Sequence, residues 1–177
     1  MILIFRAITG TGKSTLVKKL LTNEALVTHS GSRGLVEVAK YLEPVQAQIH
    51  RTAGRAFSSD DYFYAEGIYK FDAKFLSAAH GQCRLRFTEA ISTMGPRPSD
   101  HDKVLIVDNT NCTVVETAVF ADLAGAYNHE LHIVTLLCDP AIAWQRSVHG
   151  VPFTNVIKQD LALRKSVLEW PAWWPQR

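Results

Sequence analysis

The segment that most constrains this chain is Gly10-Thr11-Gly12-Lys13-Ser14-Thr15, which follows the apolar run Met1-Ile2-Leu3-Ile4-Phe5. An apolar run closed by a glycine-rich turn reads as a buried strand, and Leu16, Val17, Leu20 and Leu21 then recur at helical spacing. Strand, glycine turn and helix in that order form a phosphate-binding loop. Glycines let backbone N–H groups face the phosphates, the lysine reaches the β- and γ-phosphates, and the next hydroxyl ligates Mg²⁺. Gly10, Thr11, Gly12, Lys13, Ser14 and Thr15 are therefore the nucleotide-binding candidates, with Lys13 also catalytic and Ser14 the metal ligand. One position departs from the G-x-x-x-x-G-K-S/T pattern. Ala7 stands where its first glycine belongs, so the loop entry is expected to use a conformation open to alanine.

With 177 residues, 47% hydrophobic and 20% charged, the chain suits one globular domain over residues 1–177. A formal net charge of +2 makes no strongly basic surface overall and leaves only local patches for a polyanion. Cys83, Cys112 and Cys138 are odd in number, widely spaced and without a C-x-x-C pair, which reads as reduced thiols and neither a disulfide framework nor a zinc site. The first apolar run is too short for a signal-peptide core and no later one approaches membrane-spanning length, so the expectation is a cytoplasmic protein with no membrane partner.

Apolar and amphipathic runs alternate. Strands are expected at Met1–Phe5, near Arg55–Ser58, at Val104–Val107 and at Leu131–Leu137. Helices are expected at Lys13–Leu21, Asp72–Ser92, Thr113–Tyr127, Pro140–Val148 and Phe153–Leu168. This is the βαβ signature of a parallel sheet covered by helices. Thr113-Val114-Val115-Glu116 is a capping box, and Asp139 is an N-cap before Pro140. Residues 24–57 are longer than a helix-to-strand return needs and read as an insertion: a turn at Ser30-Gly31-Ser32-Arg33-Gly34, then an amphipathic piece broken at Pro44. Arg33, His50, Arg51 and Arg55 make it locally basic, fit either for a phosphate backbone or for plain solvent exposure. Met94–Lys103 reads as an exposed loop.

Asp60 and Asp61 follow a short strand at the edge where parallel sheets bind ligands, and serve either as a proton acceptor and metal-shell carboxylate or as a cap. Asp108 ends another apolar strand, and Asn109, Thr110 and Asn111 continue along the same edge, with turn chemistry as the alternative. Arg146 leads into Ser147-Val148-His149-Gly150-Val151-Pro152, a helix–turn–helix over residues 140–155 that can carry a guanidinium over the γ-phosphate. Arg84 and Arg86 share the ambiguity of any helix-borne arginine, and His80 reads as packed or capping. In the tail, 169–177, three tryptophans suit packing of the last segment better than base stacking.

Taken together, these residues resemble the polynucleotide-kinase-like branch of P-loop kinases, as in phage polynucleotide kinase. The resemblance rests on the glycine loop, Ser59-Asp60-Asp61-Tyr62-Phe63, His80 with Arg86-Phe87-Thr88-Glu89-Ala90, Ile106-Val107-Asp108-Asn109-Thr110-Asn111, and Arg146 with His149-Gly150-Val151-Pro152. It implies an α/β, nucleoside-kinase-like three-layer P-loop NTPase fold with a central, mostly parallel sheet and a helical lid. It also implies transfer of the γ-phosphate of Mg·ATP to a hydroxyl, with Asp60 as general base, Arg146 as lid arginine, and Asp61, Arg86, Asp108 and Asn109 on the acceptor side. Three residues after the base, the family carries an arginine that grips the acceptor's phosphate. Here that position is Phe63, which admits a stacked or extruded hydroxymethylated base within DNA, as in phage relatives, beside a 5′-hydroxyl end. DNA is the expected acceptor. A nucleotide hydrolase or switch, a small-molecule kinase and a non-catalytic nucleotide-binding module are the rival readings.

Overall fold

Six consecutive buried residues make Ile2–Ala7, β1, an inner strand. In the computed structural model, which describes residues 1–26, 33–94 and 103–174, β1 is followed by α1 (Lys13–Thr22), α2 (Arg33–Arg51) and β2 (Ala53–Phe57). A 3₁₀ turn at Asp60–Phe63 leads to the two-residue strands β3 (Tyr64–Ala65) and β4 (Ile68–Tyr69), then a second 3₁₀ turn at Ala73–Phe75. The chain continues through α3 (Leu76–Ser92), β5 (Lys103–Asp108), α4 (Val114–Ala126), β6 (Leu131–Leu136), α5 (Pro140–Arg146) and α6 (Phe153–Leu168). The turn expected around Ser30-Gly31-Ser32, the loop expected at 95–102, and Pro175 lie outside the described residues.

Four strands form one parallel sheet in the order β2-β5-β1-β6, with Phe5 opposite Asp108 and Ile2 opposite Leu131. Side chains alternate across a strand, so each strand feeds two cores. Leu3, Phe5, Val104 and Ile106 pack with Val17 and Leu20 of α1 and with Leu42, Val45 and Ile49 of α2. Ile2, Ile4, Leu105 and Val107 pack on the other face with Cys83, Phe87 and Ile91 of α3 and Phe120, Ala121 and Ala124 of α4. This is the expected three-layer α/β arrangement.

Two local expectations need revision. The amphipathic piece is not broken at Pro44: α2 runs through it from Arg33 to Arg51. Proline removes one N–H from the helix ladder, but Leu42, Val45 and Ile49 on either side are held in the core, and that packing keeps the helix continuous. Segment 38–51 is thus a structural layer of the domain. His50, one of the basic residues expected to face either a phosphate backbone or solvent, instead bonds the Leu20 carbonyl at 3.2 Å, and the Gln46 amide donates to the Lys19 and Glu24 carbonyls at 3.0 and 2.9 Å. The second revision concerns Asp72–Ser92, which is not one helix. Asp72 caps the 3₁₀ turn by accepting from the Lys74 N–H, and α3 begins only at Leu76.

Both cap expectations hold: Thr113 and Glu116 form the capping box, and Asp139 accepts from the N–H groups of Ala141 and Ile142. The tail packs through Arg6. This arginine is fully buried in β1, donates to the carbonyls of Asn111 (2.9 Å) and Cys112 (3.4 Å) and to the Ser166 hydroxyl, and lies 4.4 Å from the centre of the Trp170 ring. Burial pulls its guanidinium down to about 10, still protonated at neutral pH. Trp170 meets Trp174 edge-on at 5.0 Å, and Trp174 is buried, whereas Trp173 is exposed. Among the described residues, no helix is long and apolar enough to cross a membrane.

The role of α2 as a core layer is testable. Leu42 is fully buried, so Leu42→Ala is expected to cost about 2–5 kcal/mol of unfolding free energy in urea titrations, where a surface insertion would lose almost nothing.

Candidate functional site

Gly10 and Gly12, with φ of 83° and 95°, turn the chain between β1 and α1 through left-handed backbone that only glycine adopts freely. Gly12 caps α1 without a side-chain bond, which leaves the first N–H groups of the helix for an anion. Ala7 does not sit in that turn. It is the last residue of β1, fully buried, with its N–H on the Thr110 carbonyl at 2.9 Å, so alanine fits where the usual pattern has glycine. The loop is clasped from outside. A Cβ on Gly10 would lie 1.9 Å from the Ala143 carbonyl of α5, the Thr9 N–H donates to Gln159 of α6 at 2.9 Å, and Ile8 packs with Ala143, Val156 and Leu163.

A cavity of about 670 Å³ opens at the carboxyl ends of the strands. Its wall brings together residues 8–15 of the loop, Asp60, Asp108, Asn109 and Arg146. The Lys13 ammonium donates to the Asp108 carboxylate, both side chains nearly buried, so the first residue of α1 and the last of β5 hold each other in the cavity lining. Ser14 is exposed at the start of α1 and also borders the cavity. Arg146, at the end of α5, is exposed on the rim, and among the described residues no carboxylate pairs with it.

Asp60 is held by the protein at three points. Its N–H donates to the Ser58 hydroxyl at 3.2 Å, its Oδ1 accepts from the Tyr69 hydroxyl at 3.3 Å, and the preceding residue is pinned because the Ser59 N–H donates to Asn109 Oδ1 at 2.8 Å. The Asn109 Nδ2 in turn donates to the Cys83 sulfur at 3.4 Å. Each end of the Asn109 amide thus has a protein partner, which ties Asn109 to the turn that carries Asp60 while it also borders the cavity. His80 shares a 3.0 Å bond with the Ser59 hydroxyl. Burial and the charge of Asp60 raise the Tyr69 phenol above its ordinary range, which keeps the phenol a donor at neutral pH. Burial also pushes Cys83 up and Cys112 up to about 12, which keeps both thiols protonated at neutral pH.

Three other residues assigned to the acceptor side do not reach the cavity wall. Asp61 and Arg86 pair with each other at 2.8 Å on the surface beside α3. Phe63 is buried, 5% exposed, with ring contacts to Tyr62, Tyr69 and Phe71, so it cannot offer a face to an acceptor base. The aromatics on the wall are Tyr69 and Phe71, which sequence reasoning passed over. The signal for them was present: Tyr64 and Tyr69 flank Glu66-Gly67, a pair at positive φ that closes the β3–β4 hairpin.

No protein-family model matches the chain. It is 30% identical to human NEDD4-binding protein 2 over 128 residues, which cover 67% of this chain and 7% of that protein. The chain thus spans a small fraction of the relative it matches. Among solved structures it resembles Kti12 from Chaetomium thermophilum in complex with ADP-AlF3, at a TM-score of 0.52 and 11% identity over 90% of this chain and 79% of the other. The chain has a P-loop NTPase fold. Its loop, sheet order and helices on both faces are those of that fold.

The two loop glycines make different demands. Gly12 faces open space, so Gly12→Ala is expected to cost only the left-handed strain of about 1–2 kcal/mol. Gly10→Ala carries the same strain and adds roughly 1–3 kcal/mol of overpacking against α5. Denaturant unfolding of the two apo variants side by side measures the difference; equal losses would show that α5 does not clasp the loop.

Proposed function

We propose that this chain transfers the γ-phosphate of ATP to a hydroxyl on nucleic acid, with DNA the favoured acceptor. The observation that carries this reading is that Asp60 lines the same cavity as Lys13 and Arg146, with a tyrosine and an asparagine-pinned turn holding it there. A carboxylate in that position takes the proton of the acceptor hydroxyl as its oxygen bonds to the γ-phosphorus, while the bond to the β-bridging oxygen breaks and ADP leaves. Lys13 and Arg146 balance the charge that spreads over the transferring group. The uncapped start of α1 and the two left-handed glycines fit a triphosphate, and ADP-AlF3 in the Kti12 structure supports a nucleotide on this fold. The Ser14 hydroxyl and the Asp108 carboxylate are hard oxygen donors that fit Mg²⁺, which would neutralise phosphate charge there. Whether the acceptor is a 5′-hydroxyl end or a hydroxymethylated base is decided by experiment.

Transfer of γ-labelled phosphate tests the reading with 5′-hydroxyl DNA and RNA, DNA containing hydroxymethyluracil or hydroxymethylcytosine, and free nucleosides as acceptors. Label is expected on nucleic acid, and Asp60→Asn is expected to lower turnover roughly 10²- to 10⁴-fold at little-changed ATP affinity. Full turnover in Asp60→Asn would remove this carboxylate from the chemistry. Consumption of ATP without label on any acceptor would make the protein a hydrolase.

A further inference from the structure

The buried Phe63 is the hub of a fan of aromatic side chains on one surface. Its ring lies 4.9 Å from Phe71, 5.4 Å from Tyr62 and 6.1 Å from Tyr69; Tyr62 reaches Phe75 at 6.3 Å and Tyr69 reaches Tyr64 at 5.1 Å. Tyr64, Phe71 and Phe75 are each about half exposed (52%, 51% and 50%), and Ile68 at the hairpin tip is more so. Contiguous apolar exposure on this scale marks a contact surface. The fan begins one residue after the Asp60-Asp61 pair and ends in the cavity, because Tyr69 and Phe71 belong to its wall.

We infer that the 62–75 surface is a stacking platform for unpaired bases of a single-stranded nucleic acid, which feeds the acceptor hydroxyl towards Asp60. The inference rests on the phosphotransferase reading above and names the form of its acceptor. Exposed aromatic faces are offered beside cations: Lys70 and Lys74 are interleaved with Phe71 and Phe75, and Arg146 stands on the rim of the cavity into which the fan leads. Of the three carboxylates between 61 and 72, Asp61 is paired with Arg86 and Asp72 caps the Ala73–Phe75 turn, which leaves Glu66 at the hairpin tip. Alternating π-faces and positive charge suit a strand whose bases are splayed and whose phosphates run alongside. A duplex hides its base faces except at its ends. Phe63 supports the platform from below, and its burial accounts for an aromatic where a phosphate-gripping arginine was expected.

The test reads binding without ATP. Fluorescence anisotropy of a short labelled poly-thymidine strand is compared with that of a matched duplex, for the wild-type chain and for Tyr64→Ala and Phe75→Ala, neither of which lines the cavity. Each substitution is expected to raise the Kd for the strand about 5- to 150-fold, the range lost with one stacked base, while ATP hydrolysis is unchanged. Phe75→Trp, which keeps a π-face, is expected to retain affinity. Equal affinity of wild type and the two alanine variants, or a duplex held as tightly as the strand, overturns the platform and leaves the patch to a protein partner. Because binding is read apart from chemistry, a platform result survives the loss of the phosphotransferase reading. Label transfer to DNA at unchanged acceptor KM in both alanine variants sinks the platform alone.

Discussion

The parallel pairing of β1 with β5 is the constraint on which the site depends. With Phe5 opposite Asp108, the chain leaves both strands at the same edge, and Ala7 continues the contact by donating to Thr110. That register sets the glycine loop beside the strand-end carboxylate, so Lys13 and Asp108 meet although 95 residues separate them. A slip of one residue would turn Ile2 and Ile4 out of one core and Leu3 and Phe5 out of the other. Two apolar layers therefore defend the alignment of two polar groups.

A second set of contacts fixes what surrounds the loop. The backbone of α5 lies against Gly10 so closely that no side chain fits between, and α6 reaches Thr9 through Gln159. Helices α5 and α6 are thus anchored on the phosphate loop itself, and the turn between them carries His149 against Tyr69, ring centres 4.5 Å apart. Tyr69 also holds Asp60. Tyr69 thus touches both the turn after α5 and the Asp60 carboxylate. On the opposite side of β1, Arg6 ties the tail and α6 to the turn after β5, a buried cation kept by three acceptors and a tryptophan face.

Legibility in the sequence followed the range of the interaction. The glycine loop, the capping box at Thr113 and the Asp139 cap were readable because each is decided within a few residues by backbone geometry and hydrogen bonding. The four sheet strands were readable from apolar runs. Pro44 misled because local propensity says that proline ends a helix, while core packing of Leu42, Val45 and Ile49 outweighs the lost bond. Phe63 misled for a related reason: its position in the chain is that of a residue facing the acceptor, but the 3₁₀ turn and the hairpin after it rotate its ring inward and present its neighbours. Asn109 lies at the binding edge as expected, but its bonds to Ser59 and Cys83, which tie it to the Asp60 turn, appear only in the structure.

By itself, then, the sequence determined that a strand would enter a phosphate-binding turn and a helix, that the chain would build an α/β layer structure, and that carboxylates would stand at strand ends. Those features depend on periodicity and on neighbours within one turn, which sequence displays directly. The tertiary structure alone decided which of the acidic, basic and aromatic residues share a cavity. It placed Asp60, Asp108 and Arg146 around one cavity, paired Asp61 with Arg86 on the surface outside it, and set Tyr69 where Phe63 was expected. The physical reason is that side-chain direction at a strand end is set by register and by packing against elements far away in the chain.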